Sequence, residues 1–191
     1  MDRAFEIFRH GLKRAAASFA AAAAIFTAGC TKQSLETTYS SQENRIDSFI
    51  TSQLESNENY SIVHNHGSNR LIISGGSGNA LGRGGTVSFY YAGYVFSSGS
   101  LNTSNMFATN SEAFAAEAGW NLTGADFSVK TVRLEKDELL EGLYYGLEGV
   151  RAGEECIIIF SGKYGYGNRH VGTIPANSAL AYHILVENVS E

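Results

Sequence analysis

The sequence predicts an α+β domain, a sheet packed against one short helix, preceded by a helical extension. Three observations lead there. Over residues 138–147, Leu139, Leu140, Leu143 and Leu147 recur at helical spacing, while Gly142 and Gly146 lie four apart on the neighbouring stripe. Each glycine costs about 0.5–1 kcal/mol against alanine in a helix interior, so the pair implies that another backbone, most simply a sheet, comes too close for a Cβ. Residues 86–96 alternate and residues 156–160 are continuously apolar, the two patterns expected of strands. Upstream, Ile46, Phe49, Ile50 and Leu54 place one apolar face on a separate helix.

In chain order, residues 1–29 read as an export signal. Arg3, Arg9, Lys13 and Arg14 make a basic start, residues 15–26 form a short apolar run, and Thr27, Ala28 and Gly29 lead into Cys30. The run falls short of the about 20 residues that span a hydrocarbon core. Its small residues resemble a bacterial lipobox, which implies a lipidated Cys30 as mature N-terminus and a membrane protein facing the periplasm. Thr27 stands where that motif prefers Leu, so a plain secretory signal and an uncleaved anchor are the alternatives.

Residues 30–83 then form an extension. Residues 31–39 are polar and read as a tether, and Ser40 with Glu43 can form a capping box that starts the apolar-faced helix. That helix either packs on the domain behind it or docks a partner; an exposed apolar stripe of its size is unusual on a monomer. Residues 60–64 and 70–74 read as short strands around a His66-Gly67-Ser68-Asn69 turn. The glycine-rich residues 75–85 lack the Gly-Lys-Ser/Thr ending of a phosphate-binding loop and read as a flexible connector.

Residues 84–191 make the main domain. In its first strand Val87, Phe89, Tyr91 and Val95 share one face and Tyr90, Tyr94 and Phe96 the other, and aromatics on both predict that both faces are partly covered. Residues 113–118 can form a helical turn, Trp120 is the single tryptophan, and residues 127–134 return as a strand. Cys156 lies inside an apolar strand and reads as a core residue, leaving no disulfide framework.

Charge excludes some functions. The chain has a formal net charge of −5, and losing the four basic and two acidic residues of the signal brings it near −7. An acidic chain with no basic run argues against nucleic acid and against electrostatic attachment to anionic lipid, leaving the lipid anchor as the membrane contact. His64 and His66, with His170 or His183, are the only metal-site candidates; no Cys or carboxylate stands near them at ligand spacing, so no metal is expected.

The ordered run Glu138-Leu-Leu-Glu-Gly-Leu, Val150-Arg-Ala-Gly-Glu-Glu, Tyr164-Gly-Tyr-Gly and Ile174-Pro-Ala-Asn-Ser-Ala-Leu, with Tyr91-Ala-Gly upstream, resembles the FKBP-type peptidyl-prolyl isomerases. The resemblance implies an antiparallel sheet curved around the short helix, with an insert at about residues 108–126 that makes one loop longer than the family's. It implies an aromatic pocket for a proline ring with no cofactor. Tyr166, Tyr91, Phe107 and Tyr182 would be the catalytic residues, and Leu139, Leu140, Leu143, His170 and Ile174 would bind substrate. Tyr166 would donate a hydrogen bond through its hydroxyl, and the Leu140 N–H would take a peptide carbonyl.

Three positions depart from the family. Ala108 stands where Asp is usual, Leu143 where a Trp floors the pocket, and Lys130 where a pocket Phe is expected. Taken singly, Tyr91, Phe107, Leu140, Leu143, Ile174 and Tyr182 would be ordinary core residues of a small sheet wrapped round a helix. The expected function is prolyl isomerisation of proline-containing polypeptides during folding in the cell envelope. The alternatives are a non-catalytic binding module or a chaperone subunit of an envelope assembly, with the insert around Trp120 as a candidate contact surface for a protein partner.

Overall fold

A computed structural model describes residues 32–191; the expected export signal, the expected lipobox and Cys30 lie outside the described residues. Contacts divide the chain after Ser40, and the unit from Ser41 to Glu191 carries the fold. Helix α1 covers residues 32–56. It is followed by β1 (Ser61–Asn65), β2 (Ser68–Ser74), β3 (Thr86–Val95), β4 (Met106–Thr109), α2 (Glu112–Glu117), β5 (Lys130–Arg133), α3 (Glu141–Leu147), β6 (Glu155–Phe160) and β7 (Leu180–Ser190). The seven strands form one sheet in the order β1-β2-β6-β7-β3-β4, with β5 also on β3, and every pairing is antiparallel.

The alternation of side chains sorts the sheet into two faces. On one, Cys156, Ile158 and Phe160 of β6, Tyr182 and Ile184 of β7 and Val87 and Phe89 of β3 pack with Tyr144 and Leu147 of α3. On the other, Ile157 and Ile159 of β6 with Leu71 of β2 and Ala181 of β7 meet Ile46, Phe49 and Ile50 of α1. The amphipathic helix of the extension therefore covers its own domain. Each of its buried side chains contributes about 1.5–3 kcal/mol by leaving water.

Helix α3 sits as its glycines imply. A Cβ on Gly142 would collide with the Phe160 ring, and one on Gly146 with Ile158 Cγ2. The sheet reaches the helix through side chains of β6 rather than through backbone, which refines the expectation. The β1–β2 hairpin holds the helix by its carbonyls. Ser68 Oγ donates to Gly142 O at 2.7 Å, Asn65 Nδ2 to Tyr145 O at 3.0 Å, and Arg70 Nη1 to Gly146 O at 3.1 Å and Glu148 O at 2.9 Å. A positive side chain at carbonyls that the last turn leaves unpaired also complements the helix dipole. Arg70 is 5% exposed and Glu154 3%. Arg70 Nε lies 3.3 Å from Glu154 Oε1, an ion pair by distance whose angle is too bent for a hydrogen bond.

Four local expectations are corrected. Residues 32–39 are helical, so Ser40 lies inside α1 and is not its cap. Extending a helix adds a hydrogen bond per residue without a new nucleation cost, and Thr37 and Thr38 return their hydroxyls to the carbonyls of Gln33 and Ser34, both at 2.9 Å. The glycine-rich run is pinned rather than loose, because Leu81 is buried and exchanges backbone hydrogen bonds with Gly149 and Val150. Residues 127–129 are not strand, and β5 begins only at Lys130, opposite Phe89. The β1–β2 turn is tighter than expected, because Ser68 and Asn69 already belong to β2, paired with Asn65 and His64, and only His66 and Gly67 lie between the strands.

One edge of β3 is shared. β5 pairs with its first half and β4 with its second, and where they part Asn110 takes over. Its Oδ1 accepts from the Tyr91 N–H at 2.7 Å, and its Nδ2 donates to Phe89 O at 3.1 Å and Ser128 O at 3.0 Å. A side-chain amide here does the work of a strand peptide, pairing the Tyr91 N–H and the Phe89 carbonyl where neither β4 nor β5 reaches.

Candidate active site

Between α3, β3, β5 and the loops after β6 lies a cavity of two adjoining lobes, about 220 and 290 Å³. Tyr91, Tyr166 and Tyr182 line both. The first lobe is closed by Leu139, Leu140, Leu143 and Lys130, the second by Phe107, Ala108 and Ile174. Five aromatic and branched residues from separate parts of the chain, Tyr91, Phe107, Tyr166, Ile174 and Tyr182, thus converge on one hollow.

Local chemistry explains how each gets there. Tyr91 and Phe89 project from β3 onto the α3 face, rings 6.1 Å apart. Gly93, two residues beyond Tyr91, has no side chain because a Cβ would stand 2.7 Å from the Phe107 ring and 3.2 Å from that of Tyr182. The Phe107 ring meets Tyr182 edge-on with centroids 5.8 Å apart, a favoured geometry for two aromatic quadrupoles. Phe160 stacks on the other side of Tyr182 at 6.0 Å. Ile174 and Val171 close a tight turn by exchanging backbone hydrogen bonds of 2.9 and 3.0 Å. Tyr166 sits in the glycine-flanked loop after β6, where Gly167 N–H donates to Gly162 O at 3.1 Å.

Burial dominates the electrostatics of the site. Burial pushes the Tyr182 hydroxyl well above the ordinary phenol range, with smaller contributions from neighbouring Tyr166 and Tyr91. Burial, then Tyr166, raises Tyr91 likewise. These two phenols stay protonated at neutral pH and are able to donate. Leu140 is the N-cap of α3; its carbonyl accepts from Tyr144 N–H at 2.9 Å, and among the described residues its own N–H has no partner. Cys156 is fully buried and its thiol is pushed up by desolvation, so it is not a nucleophile.

Of the residues expected at the site, His170 alone is absent from the lining; it is exposed beside Val171. Lys130 and Ala108 do line it, at the positions where the family's Phe and Asp were expected. Phe89, Val132 and Glu138 line the first lobe and were not anticipated. The strand register would have found two of them, since Val132 is paired with Val87 and Lys130 with Phe89. His183 faces away, its Nε2 2.7 Å from Glu155 Oε1 and its ring against Phe114 of α2. Among the described residues no three His, Cys, Asp or Glu side chains are grouped to hold a metal ion.

The fold and site define an α+β class of protein: an antiparallel sheet holding a short helix on one face, with an apolar, phenol-rimmed hollow at the helix N-terminus. The chain belongs to the FKBP-type peptidyl-prolyl cis-trans isomerase family, whose profile matches residues 78–187, and it is a peptidyl-prolyl isomerase. It is 25% identical over 118 residues to FK506-binding protein 1 of Aspergillus oryzae, covering 62% of this chain and 94% of that one. It is 33% identical over 109 residues to FK506-binding protein 4 of Chaetomium thermophilum, covering 57% of this chain but 18% of that longer protein. Among solved structures, FkpA from Escherichia coli superposes with a TM-score of 0.54 at 17% identity, covering 91% of this chain and 70% of the other. A peptidyl-prolyl isomerase from Pseudomonas syringae gives 0.54 at 16% identity, covering 82% and 96%. At these identities the superpositions speak for the fold alone.

Proposed function

We propose that the chain isomerises X-Pro bonds of polypeptides folding in the cell envelope, using the two-lobed cavity, from a lipid anchor at Cys30 on the periplasmic side of the membrane. The observation that carries the site assignment is the convergence of Tyr91, Phe107, Tyr166, Ile174 and Tyr182 on one hollow. The basic, apolar and small-residue order of residues 1–30 supports the anchor.

Amide resonance sets a rotation barrier of about 18–20 kcal/mol, and no nucleophile or acid is needed to cross it. It is enough to bind the twisted amide better than the planar one, and each 1.36 kcal/mol of that preference is about tenfold in rate. The proline ring enters between Tyr91, Tyr182 and Leu143. The Leu140 N–H holds a carbonyl of the bound peptide, and the Tyr166 hydroxyl donates a second hydrogen bond at the mouth. Tyr182 and Phe107 keep water out, which favours an amide whose charge separation has been reduced by twisting. Leu143 and Ala108 make this grip looser than a Trp floor and a carboxylate would, and those departures support a second reading, a binding module with little turnover that holds a partner at the insert around Trp120.

The test follows refolding of a protein limited by X-Pro isomerisation in the presence of residues 31–191. Acceleration that falls about tenfold in Tyr166→Phe, the loss expected for one transition-state hydrogen bond, supports the isomerase site. Retained peptide binding without acceleration selects the binding module. Cys30→Ser abolishes detergent partitioning if the anchor is real.

A further inference from the structure

A buried polar residue interrupts the apolar stripe of α1. Gln42 stands four residues before Ile46 on the same face and is 6% exposed. Its amide bridges two loops. Oε1 accepts the Gly162 N–H at 2.8 Å, and Nε2 donates to Asn177 O at 2.6 Å. The loops are held backbone to backbone at this point, because a Cβ on Gly162 would lie 2.5 Å from Asn177 O. From there the hydrogen bonds run straight to the cavity. Asn177 N–H donates to Gly167 O at 2.6 Å and Gly167 N–H to Gly162 O at 3.1 Å, and Gly167 follows Tyr166. Asn177 has φ of 59° and comes three residues after Ile174. The two wall residues Tyr166 and Ile174 therefore hang from loops whose shared root is clamped by one side chain of the N-terminal helix.

We infer that Gln42 is a positioning residue for the isomerase: through Gly162 and Asn177 it sets the loops that present Tyr166 and Ile174 to the proline ring. The inference rests on the cavity being the isomerase site. It makes the N-terminal helix part of the catalytic apparatus rather than a spacer, since α1 meets the sheet through Ile46, Phe49 and Ile50 and the pocket loops through Gln42. The glutamine is suited to the task because a primary amide both donates and accepts, matching one backbone carbonyl and one N–H.

The experiment uses the full chain with two substitutions. Gln42→Leu keeps an apolar side chain of similar length and removes both bonds. It is expected to lower kcat/KM for a proline peptide about tenfold, because small displacements of a positioned wall residue are costly in rate. Amide exchange at Gly167 and Asn177, whose N–H groups Gln42 does not touch, is expected to quicken while β6 stays as in the parent. Gln42→Glu adds a readout that a purely structural role would not give. A neutral carboxyl can still donate to Asn177 O and accept from Gly162, whereas a carboxylate cannot donate. Burial raises the pKa of such a carboxyl, and the neighbouring Glu43, which takes the Ser161 hydroxyl at 3.3 Å, raises it further. The ratio of variant to parent kcat/KM is then high at low pH and falls as pH rises through that pKa. A folded Gln42→Leu protein with parental kcat/KM and parental exchange overturns the inference, and if that variant does not fold, a pH-independent ratio for Gln42→Glu does so. Should the parent itself catalyse nothing, the isomerase site fails, while the exchange rates still decide whether Gln42 holds the loops.

Discussion

The two faces of the sheet are covered by helices on opposite terms. Helix α1 lies on its face through Ile46, Phe49 and Ile50, large side chains that fill space against Leu71, Ile157 and Ile159. Helix α3 lies on the other face through two glycines, seated on Phe160 and Ile158, and is held by polar side chains of β2 at its carbonyls. The first arrangement seals its face. The second brings a seven-residue helix close enough to be fastened by hydrogen bonds and leaves a hollow at its N-terminus. Area burial stabilises one helix, and close approach with directional bonding positions the other, whose first residues line the candidate site.

Four changes break or sharpen that contrast. The largest effect is expected for Arg70→Met, which strands the Glu154 carboxylate in the interior and uncaps α3; unpaired buried charge costs about 3–5 kcal/mol, read from urea denaturation. On the opposite face, Ile46→Ala removes a side chain that is 1% exposed, for about 2–5 kcal/mol by the same measurement. Gly142→Ala comes next. It improves intrinsic helix propensity yet drives a methyl into the Phe160 ring, and a net loss of about 1–3 kcal/mol, with weaker binding of a pocket ligand, shows that closeness outweighs propensity. A stabilised Gly142→Ala protein would refute the account of the glycines. Least affected is the pH profile. Tyr182 and Tyr91 have pKa values raised by burial, so their contribution to stability is complete below about pH 10 and is lost only as pH rises towards the raised values. Activity is expected to be level between about pH 6 and 9, and a step in that range would assign turnover to another group.

What the sequence made legible follows the same division. Gly142 and Gly146 announced a close neighbour because nothing in a helix rewards them, and the stripe through Ile46 announced a covered face because apolar side chains recur with the helical period. The start of α1 was not legible. Lys32 to Tyr39 is mostly polar, and the single pair Leu35 and Tyr39, four apart, is too little periodicity to mark a helix that extends from α1. The glycine-rich run looked loose since composition does not reveal that the single Leu81 would be buried. Of the cavity, the aromatic wall was readable from ordered motifs and the far side was not. Val132 and Glu138 line it through strand register and loop path, which depend on pairings between distant segments. Gln42 escaped notice for a related reason: a glutamine in a helix is unremarkable until the backbone groups it serves, 120 and 135 residues away, are folded against it.

Asn110 has a consequence for how such a domain changes over time. By standing in for a strand at the seam between β4 and β5, it separates the upkeep of β3 from the length of whatever joins those two strands. The segment beyond the seam, α2 included, pairs with neither β3 nor its partners, so its length is not tied to the ladder behind it. The seam is therefore where a new recognition element could be acquired by an enzyme that keeps its old chemistry, and where an engineer would graft one.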